Sequence, residues 1–157
     1  MADHYFIVKS TDNELVDIVF HILRKCGYNM ARKGLFHWIP SYSRKAIRKD
    51  CDRNVVVLVQ NDEYQDYTST FQMFVNPEGN LYVRKIATLP KYEGKGIGGS
   101  NLRYMESYAR QQGCQKICLD VYVRSKGAIG FYRHNGFHEV GSKRSIRFRE
   151  LVMEKNI

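Results

Sequence analysis

The chain has 157 residues, 25 of them Lys or Arg and 16 Asp or Glu, giving a formal charge of +9. That length suits one domain spanning 1–157 with a substantial core, and the cationic balance favours anionic partners: phosphorylated cofactors, acidic substrates, nucleic acid or a membrane surface. No basic n-region opens the chain and its longest aliphatic run, Val55 to Val59, is far too short to span a bilayer, so a soluble, cytoplasmic protein without membrane contact is expected.

Tyr5 to Lys9 is an apolar run suited to a first strand, and Thr11-x-x-Glu14 has the form of a capping box. Leu15, Ile18, Val19, Ile22, Leu23 and Cys26 then recur at helical spacing, with Gly27 as the expected C-cap. Tyr42 to Cys51 reads as a second helix whose Arg44, Lys45, Arg48 and Lys49 form a cationic face, either a solvated surface or one turned to an anionic ligand. Cys26, Cys51, Cys114 and Cys118 form no C-x-x-C pair, so reduced thiols are expected and no metal site.

Val55 to Val59 has the continuous aliphatic character of a strand buried on both faces. Tyr67–Val75 and Leu81–Leu89 flank the turn-rich Asn76-Pro77-Glu78-Gly79-Asn80, which predicts an antiparallel hairpin. Glycines follow at Gly94, Gly96, Gly98 and Gly99, before a helix predicted over Asn101–Gln112. Such a loop approaches a ligand closely and feeds free N–H groups into a helix N-terminus, which makes it a phosphate site.

Three phosphate loops compete for this stretch. The P-loop pattern is excluded, because Gly96 follows Gly94-Lys95 where a Ser or Thr is needed. Gly94, Gly96 and Gly99 match the dinucleotide fingerprint, with Asp120 about 20 residues beyond, but repeated βαβ units are lacking. The third reading is a coenzyme A pyrophosphate loop.

Lys116–Val123 reads as a strand and Ser125–Asn135 as a helix closed by Gly136. Gly127 and Gly130 inside that helix each cost roughly 1 kcal/mol against alanine, which calls for either close backbone packing or close ligand approach. Phe137–Val140 and Ile146–Met153 predict a last hairpin over Gly141–Ser145.

The run Glu93-Gly94-Lys95-Gly96-Ile97-Gly98 after Pro90 resembles the Q/R-x-x-G-x-G/A signature of the GNAT superfamily of acetyl-coenzyme A-dependent N-acetyltransferases, with Glu93 departing from Gln or Arg. A second block strengthens the resemblance: Leu119-Asp120-Val121, Ser125-x-x-Ala128 and Phe131-Tyr132-x-x-x-Gly136-Phe137, with Ser125 where Asn is usual. The element order is similar too. The resemblance implies a mixed α/β fold, a mostly antiparallel central sheet of about seven strands flanked by about four helices.

It further implies that acetyl-coenzyme A is held by Glu93, Gly94, Lys95, Gly96, Ile97, Gly98 and Gly99, and that Ser125 and Ala128 meet the pantetheine arm. Backbone N–H groups of Ala87, Thr88 and Leu89 are the implied oxyanion contacts, Tyr132 the general acid at the sulfur, and Asp120 the candidate general base. The partners implied are acetyl-coenzyme A and an amine acceptor, with a homodimer compatible. Arg84 and Lys85, on opposite faces of one strand by alternation, together with the cationic helix, point to an acceptor that carries an anionic group. The rivals are a catalytically silent acyl-coenzyme A sensor and a basic nucleic-acid-binding module, the latter without a recognition motif.

Overall fold

The computed structural model describes residues 2–157. Its strands are β1 (Asp3–Ile7), β2 (Val55–Asn61), β3 (Asp66–Val75), β4 (Leu81–Thr88), β5 (Lys116–Tyr122), β6 (His138–Arg144) and β7 (Arg149–Asn156). Its helices are α1 (Asn13–Arg32), α2 (Arg44–Arg53), α3 (Ile97–Gln111) and α4 (Lys126–His134), with a single 3-10 turn at Pro90–Tyr92. The seven strands form one sheet in the order β1-β2-β3-β4-β5-β7-β6, the mixed α/β fold expected. Its β4–β5 pair is parallel, and the β1–β2, β2–β3, β5–β7 and β6–β7 pairs are antiparallel.

The chain forms two compact units, one comprising the chain up to Met73 with Lys85–Ser100, the other Phe74–Arg84 with Asn101–Ile157. In the first unit, α1 and α2 cover the sheet face that carries Val56, Leu58, Ala87 and Leu89. Val16, Val19, Ile22, Leu23 and Cys26 of α1 are buried there, and each large aliphatic side chain contributes about 1.5–3 kcal/mol. Val56 to Val59 are all fully buried, so β2 has the two-sided burial that its aliphatic run predicts.

Two expectations about α1 are corrected. Asp12, not Thr11, is the N-cap, its Oδ1 accepting from Leu15 N at 3.2 Å, since a carboxylate also answers the positive helix end. Gly27 does not end the helix, which runs to Arg32. A Cβ at Gly27 would lie 3.3 Å from the Trp38 carbonyl oxygen, so the glycine serves close approach of a later segment. The second helix starts two residues later than expected, capped by Ser43 Oγ accepting from Ala46 N at 3.1 Å.

In the second unit, the expected β3–β4 turn closes through Asn76 N–H to the Asn80 carbonyl at 2.9 Å. Leu81, Val83, Ile117, Leu119, Val121 and Met153 are buried along its strands, with Met105, Ala109 and Ile129 buried on its helices. The last hairpin is displaced from expectation. A register irregularity between Glu139 and Gly141 carries β6 through Gly141 to Arg144, and the tip falls at Ser145–Phe148, where Ser145 N–H meets the Phe148 carbonyl at 2.8 Å. Among the described residues, no helix is long and apolar enough to cross a membrane.

Candidate functional site

In the first unit, the segment Lys85–Gly99 carries most of the sequence-predicted binding residues. Lys85 stands in the left-handed region at φ +49°, a conformation that costs a non-glycine residue about 1–2 kcal/mol. Its ammonium is held inside: Nζ lies 2.5 Å from Asp50 Oδ2 and 4.0 Å from the Tyr42 ring centroid. Gln72 Nε2 donates to the same Asp50 oxygen at 2.9 Å. The expectation that Lys85 offers a cation to an acceptor is therefore corrected, because Asp50 and Tyr42 hold it. Arg84, in the second unit, is exposed.

Of the three implied oxyanion donors, Leu89 N–H is engaged by the Thr68 carbonyl at 2.9 Å. Alternation along the strand turns Thr88 N–H to the opposite edge. The Thr88 carbonyl lies 3.2 Å from Cys26 Sγ. Beyond it the Pro90–Tyr92 turn is anchored by Tyr92 Oη donating to Asp66 and by the Tyr64 ring, 4.8 Å from that of Tyr92.

Glu93, Gly94, Lys95 and Gly96 are exposed, and Gly94 and Gly96 have φ of +72° and +82°. A Cβ at either glycine would meet nothing within 4 Å, so backbone conformation and open space, rather than packing, explain their identity. The helix begins earlier than expected: Ser100 N–H already bonds the Gly96 carbonyl at 3.1 Å, and α3 starts at Ile97. The amides of Ile97, Gly98 and Gly99 precede that first helical bond, and with the helix dipole they form a surface suited to phosphate.

The second unit carries Asp120, Ser125, Ala128 and Tyr132. Ser125 is buried and caps α4 without a side-chain capping bond. Ala128 is half-buried on the first turn. A Cβ at Gly127 or Gly130 meets nothing within 4 Å, so close packing within the chain does not account for these glycines. Tyr132 is 8% exposed, its ring edge-on to Phe131 and Phe137 at centroid distances of 5.5 and 5.6 Å. Burial pushes its phenol well above the usual tyrosine range, which keeps it a proton donor at neutral pH.

Asp120 accepts from Tyr82 Oη and pairs with Lys143 Nζ. Tyr82, Lys143 and the nearby Glu150 carry no local motif; only strand register brings them to Asp120. The same is true of Asp50, which lies 35 residues from Lys85. Cys26, Cys51, Cys114 and Cys118 are free, and burial pushes the Cys26 thiol up to about 12. Among the described residues no three His, Cys, Asp or Glu side chains gather in a metal-binding group.

Comparison with known proteins bears on the family and on the fold. Residues 16–137, which run through both units, match the model of the acetyltransferase (GNAT) family. The chain is 30% identical over 89 residues to an uncharacterized N-acetyltransferase of Methanocaldococcus jannaschii, covering 57% of this chain and 32% of that protein. It is 28% identical over 79 residues to the thialysine N-epsilon-acetyltransferase of Mus musculus, covering 48% and 46%. The matches thus span less than half the length of these relatives. Among solved structures, the PaiA N-acetyltransferase of Thermoplasma acidophilum in complex with coenzyme A shares the fold over 100% of both chains, with a TM-score of 0.80 at 17% identity.

Proposed function

The chain belongs to the GNAT family of acetyltransferases, and from that membership we propose that it moves the acetyl group of acetyl-coenzyme A to a primary amine by direct attack in a ternary complex. The observation that carries the reading is the loop at Gly94 and Gly96, with two positive-φ glycines, no side chain over them and a helix N-terminus behind. Such a loop receives a pyrophosphate through backbone N–H groups and does not depend on the side chain at Glu93. Ser125, whose hydroxyl makes no capping bond, and Ala128 are assigned to the pantetheine arm.

The amine nitrogen, once neutral, attacks the thioester carbonyl carbon. The oxyanion that forms is met by a backbone N–H of the Ala87–Leu89 stretch, Thr88 being favoured because Leu89 N–H serves Thr68. The carbon–sulfur bond then breaks, and the departing thiolate takes the proton of Tyr132, whose raised pKa supports an acid rather than a base. Asp120 is assigned the amine proton.

A carboxylate-bearing acceptor is supported by Arg84, exposed on the strand that carries Tyr82, and by the exposed Lys45 and Lys49 of α2. Arg44 contributes less, since Asp17 pairs with it at 2.7 Å. The mouse relative acts on the ε-amine of thialysine, a lysine analogue with ammonium and carboxylate groups, and an amine of that type is the acceptor favoured for this chain. Four free thiols accord with a cytoplasmic site of action. Thiol release from acetyl-coenzyme A, measured with lysine-type amines and with no amine, tests the proposal. Release that no amine accelerates, despite coenzyme binding, would replace the enzyme by the silent sensor.

A further inference from the structure

We propose that Tyr82, Asp120 and Glu150 form a subsite for the primary alkylammonium of the acceptor, and that Lys143 of the same chain fills it when no acceptor is bound. This rests on the acetyltransferase reading above and names the acceptor group which that reading leaves open.

The three residues share one face of the sheet by register. Tyr82 is level with Cys118 on β5, one step along that face from Asp120. Glu150 of β7 is level with Tyr122, and Val152 with Asp120, so Glu150 and Asp120 are diagonal neighbours. Lys143 of β6 stands opposite Glu150. A polar row therefore crosses β4, β5, β7 and β6.

Two observations, an aromatic face and a seated lysine, identify an ammonium as the ligand. The Tyr82 ring is held flat against Phe74, with centroids 5.5 Å apart and 16° between planes, and so presents a fixed aromatic face. An ammonium is in fact seated there: Lys143 Nζ pairs with Asp120 and lies 5.8 Å from the Tyr82 centroid. A carboxylate beside an aromatic face is how proteins recognise alkylammonium groups.

The occupant is loosely held and its host is not. The Lys143 side chain is 51% exposed on a strand exposed throughout, whereas the Asp120 side chain is 17% exposed and also accepts from Tyr82. An incoming ammonium that displaces Lys143 meets two carboxylates, Asp120 and Glu150; the lysine pairs directly with Asp120, and its opposing charge only partly offsets the upward push on Glu150. Burial and the charge of Asp120 push the Glu150 carboxyl upward, so a cation between the two relieves both. Displacement swings out a lysine whose own side chain is half exposed, and it leaves the enclosed Asp120 carboxylate to the incoming ammonium.

The test is titration of L-lysine, and of 1,5-diaminopentane as the same alkylammonium without a carboxylate, into the full chain loaded with coenzyme A. Lys143→Gln should tighten both by about three- to thirtyfold, because the internal competitor is gone, while Lys143→Arg should keep the parental affinity. Tyr82→Leu and Glu150→Gln should weaken both amines. Unchanged or weaker binding in Lys143→Gln, or indifference to Tyr82 and Glu150, overturns the subsite. Thiol release with amines in the same preparations separates the two ideas. Release that persists while Lys143→Gln binds the amines no differently removes the subsite and leaves the transfer standing. Failure to bind acetyl-coenzyme A removes the transfer, and the amine titration repeated on the unloaded chain then decides the subsite by the same variants.

Discussion

Lys85 Nζ lies 2.5 Å from Asp50 Oδ2, with only 7% and 13% of the two side chains exposed. The pair ties a left-handed residue of β4 to the last turns of α2, immediately before the Ala87–Leu89 stretch. A charge pair so enclosed adds little net stability over an apolar pair, but breaking it on one side leaves a buried charge unanswered.

Lys85→Met should therefore destabilise the fold by about 3–5 kcal/mol, read as a lowered urea midpoint with the slope unchanged. Adding Asp50→Asn to it should recover much of the loss, since Gln72 can still bond an amide at that position. A single variant as stable as the parent would mean that water reaches Asp50 and the pair is only a surface contact.

Gly96→Val should abolish binding of acetyl-coenzyme A and leave a folded domain. At φ +82°, with nothing within 4 Å of a built Cβ, the substitution meets strain but no clash in the free protein. The expected stability loss is about 1–2 kcal/mol, too little to unfold a typical domain. Calorimetry that finds parental affinity in a folded Gly96→Val would remove the loop from the binding site.

How far the sequence alone reaches can be seen residue by residue. The fully aliphatic Val55–Val59 and the Asn76–Asn80 turn carry local signals, and both elements lie where those signals put them. Gly27 misleads, because a glycine inside a helix resembles a helix end until Trp38 is seen against it. Gly98 and Gly99 mislead in the opposite direction: low helix propensity delays the predicted start of α3, whereas the structure begins it at Ile97. The glycine loop and Tyr132 are legible because their motifs are local. Asp50 beside Lys85 and Lys143 on Asp120 are contacts between distant strands and helices, and no local pattern encodes them.

Tyr132→Phe should lower turnover by roughly ten- to a thousandfold with little change in coenzyme affinity, as expected when only proton donation is lost. Burial raises the folded pKa of this phenol above its ordinary value of 10.0. Its contribution to stability is thus whole below pH 10 and is lost as pH rises through the folded value, because the unfolded chain releases the proton first. Alkaline unfolding should accordingly be shallower in Tyr132→Phe. Parental turnover in the variant would assign the thiolate's proton to another donor.

Glu150→Gln should raise stability at neutral pH while it weakens the binding of lysine-type amines. The Glu150 carboxyl is pushed above its ordinary 4.5 first by burial and then by Asp120, with Lys143 opposing. A folded pKa raised above the unfolded value gives stability that is present below pH 4.5 and lost as pH climbs through the folded value, so the ionised carboxylate is a net burden at pH 7. Glutamine keeps the shape without the charge, and the melting temperature of the variant should exceed that of the parent at pH 7. The advantage should shrink as pH falls toward 4. A residue kept only for the fold would not be held at a loss there, whereas a carboxylate that receives the acceptor's ammonium would, as functional sites often do. A variant that is less stable than the parent at pH 7 and equally stable at pH 4 would show instead that the pairing with Lys143 outweighs burial and repulsion, and Glu150 would then be a structural partner of β6.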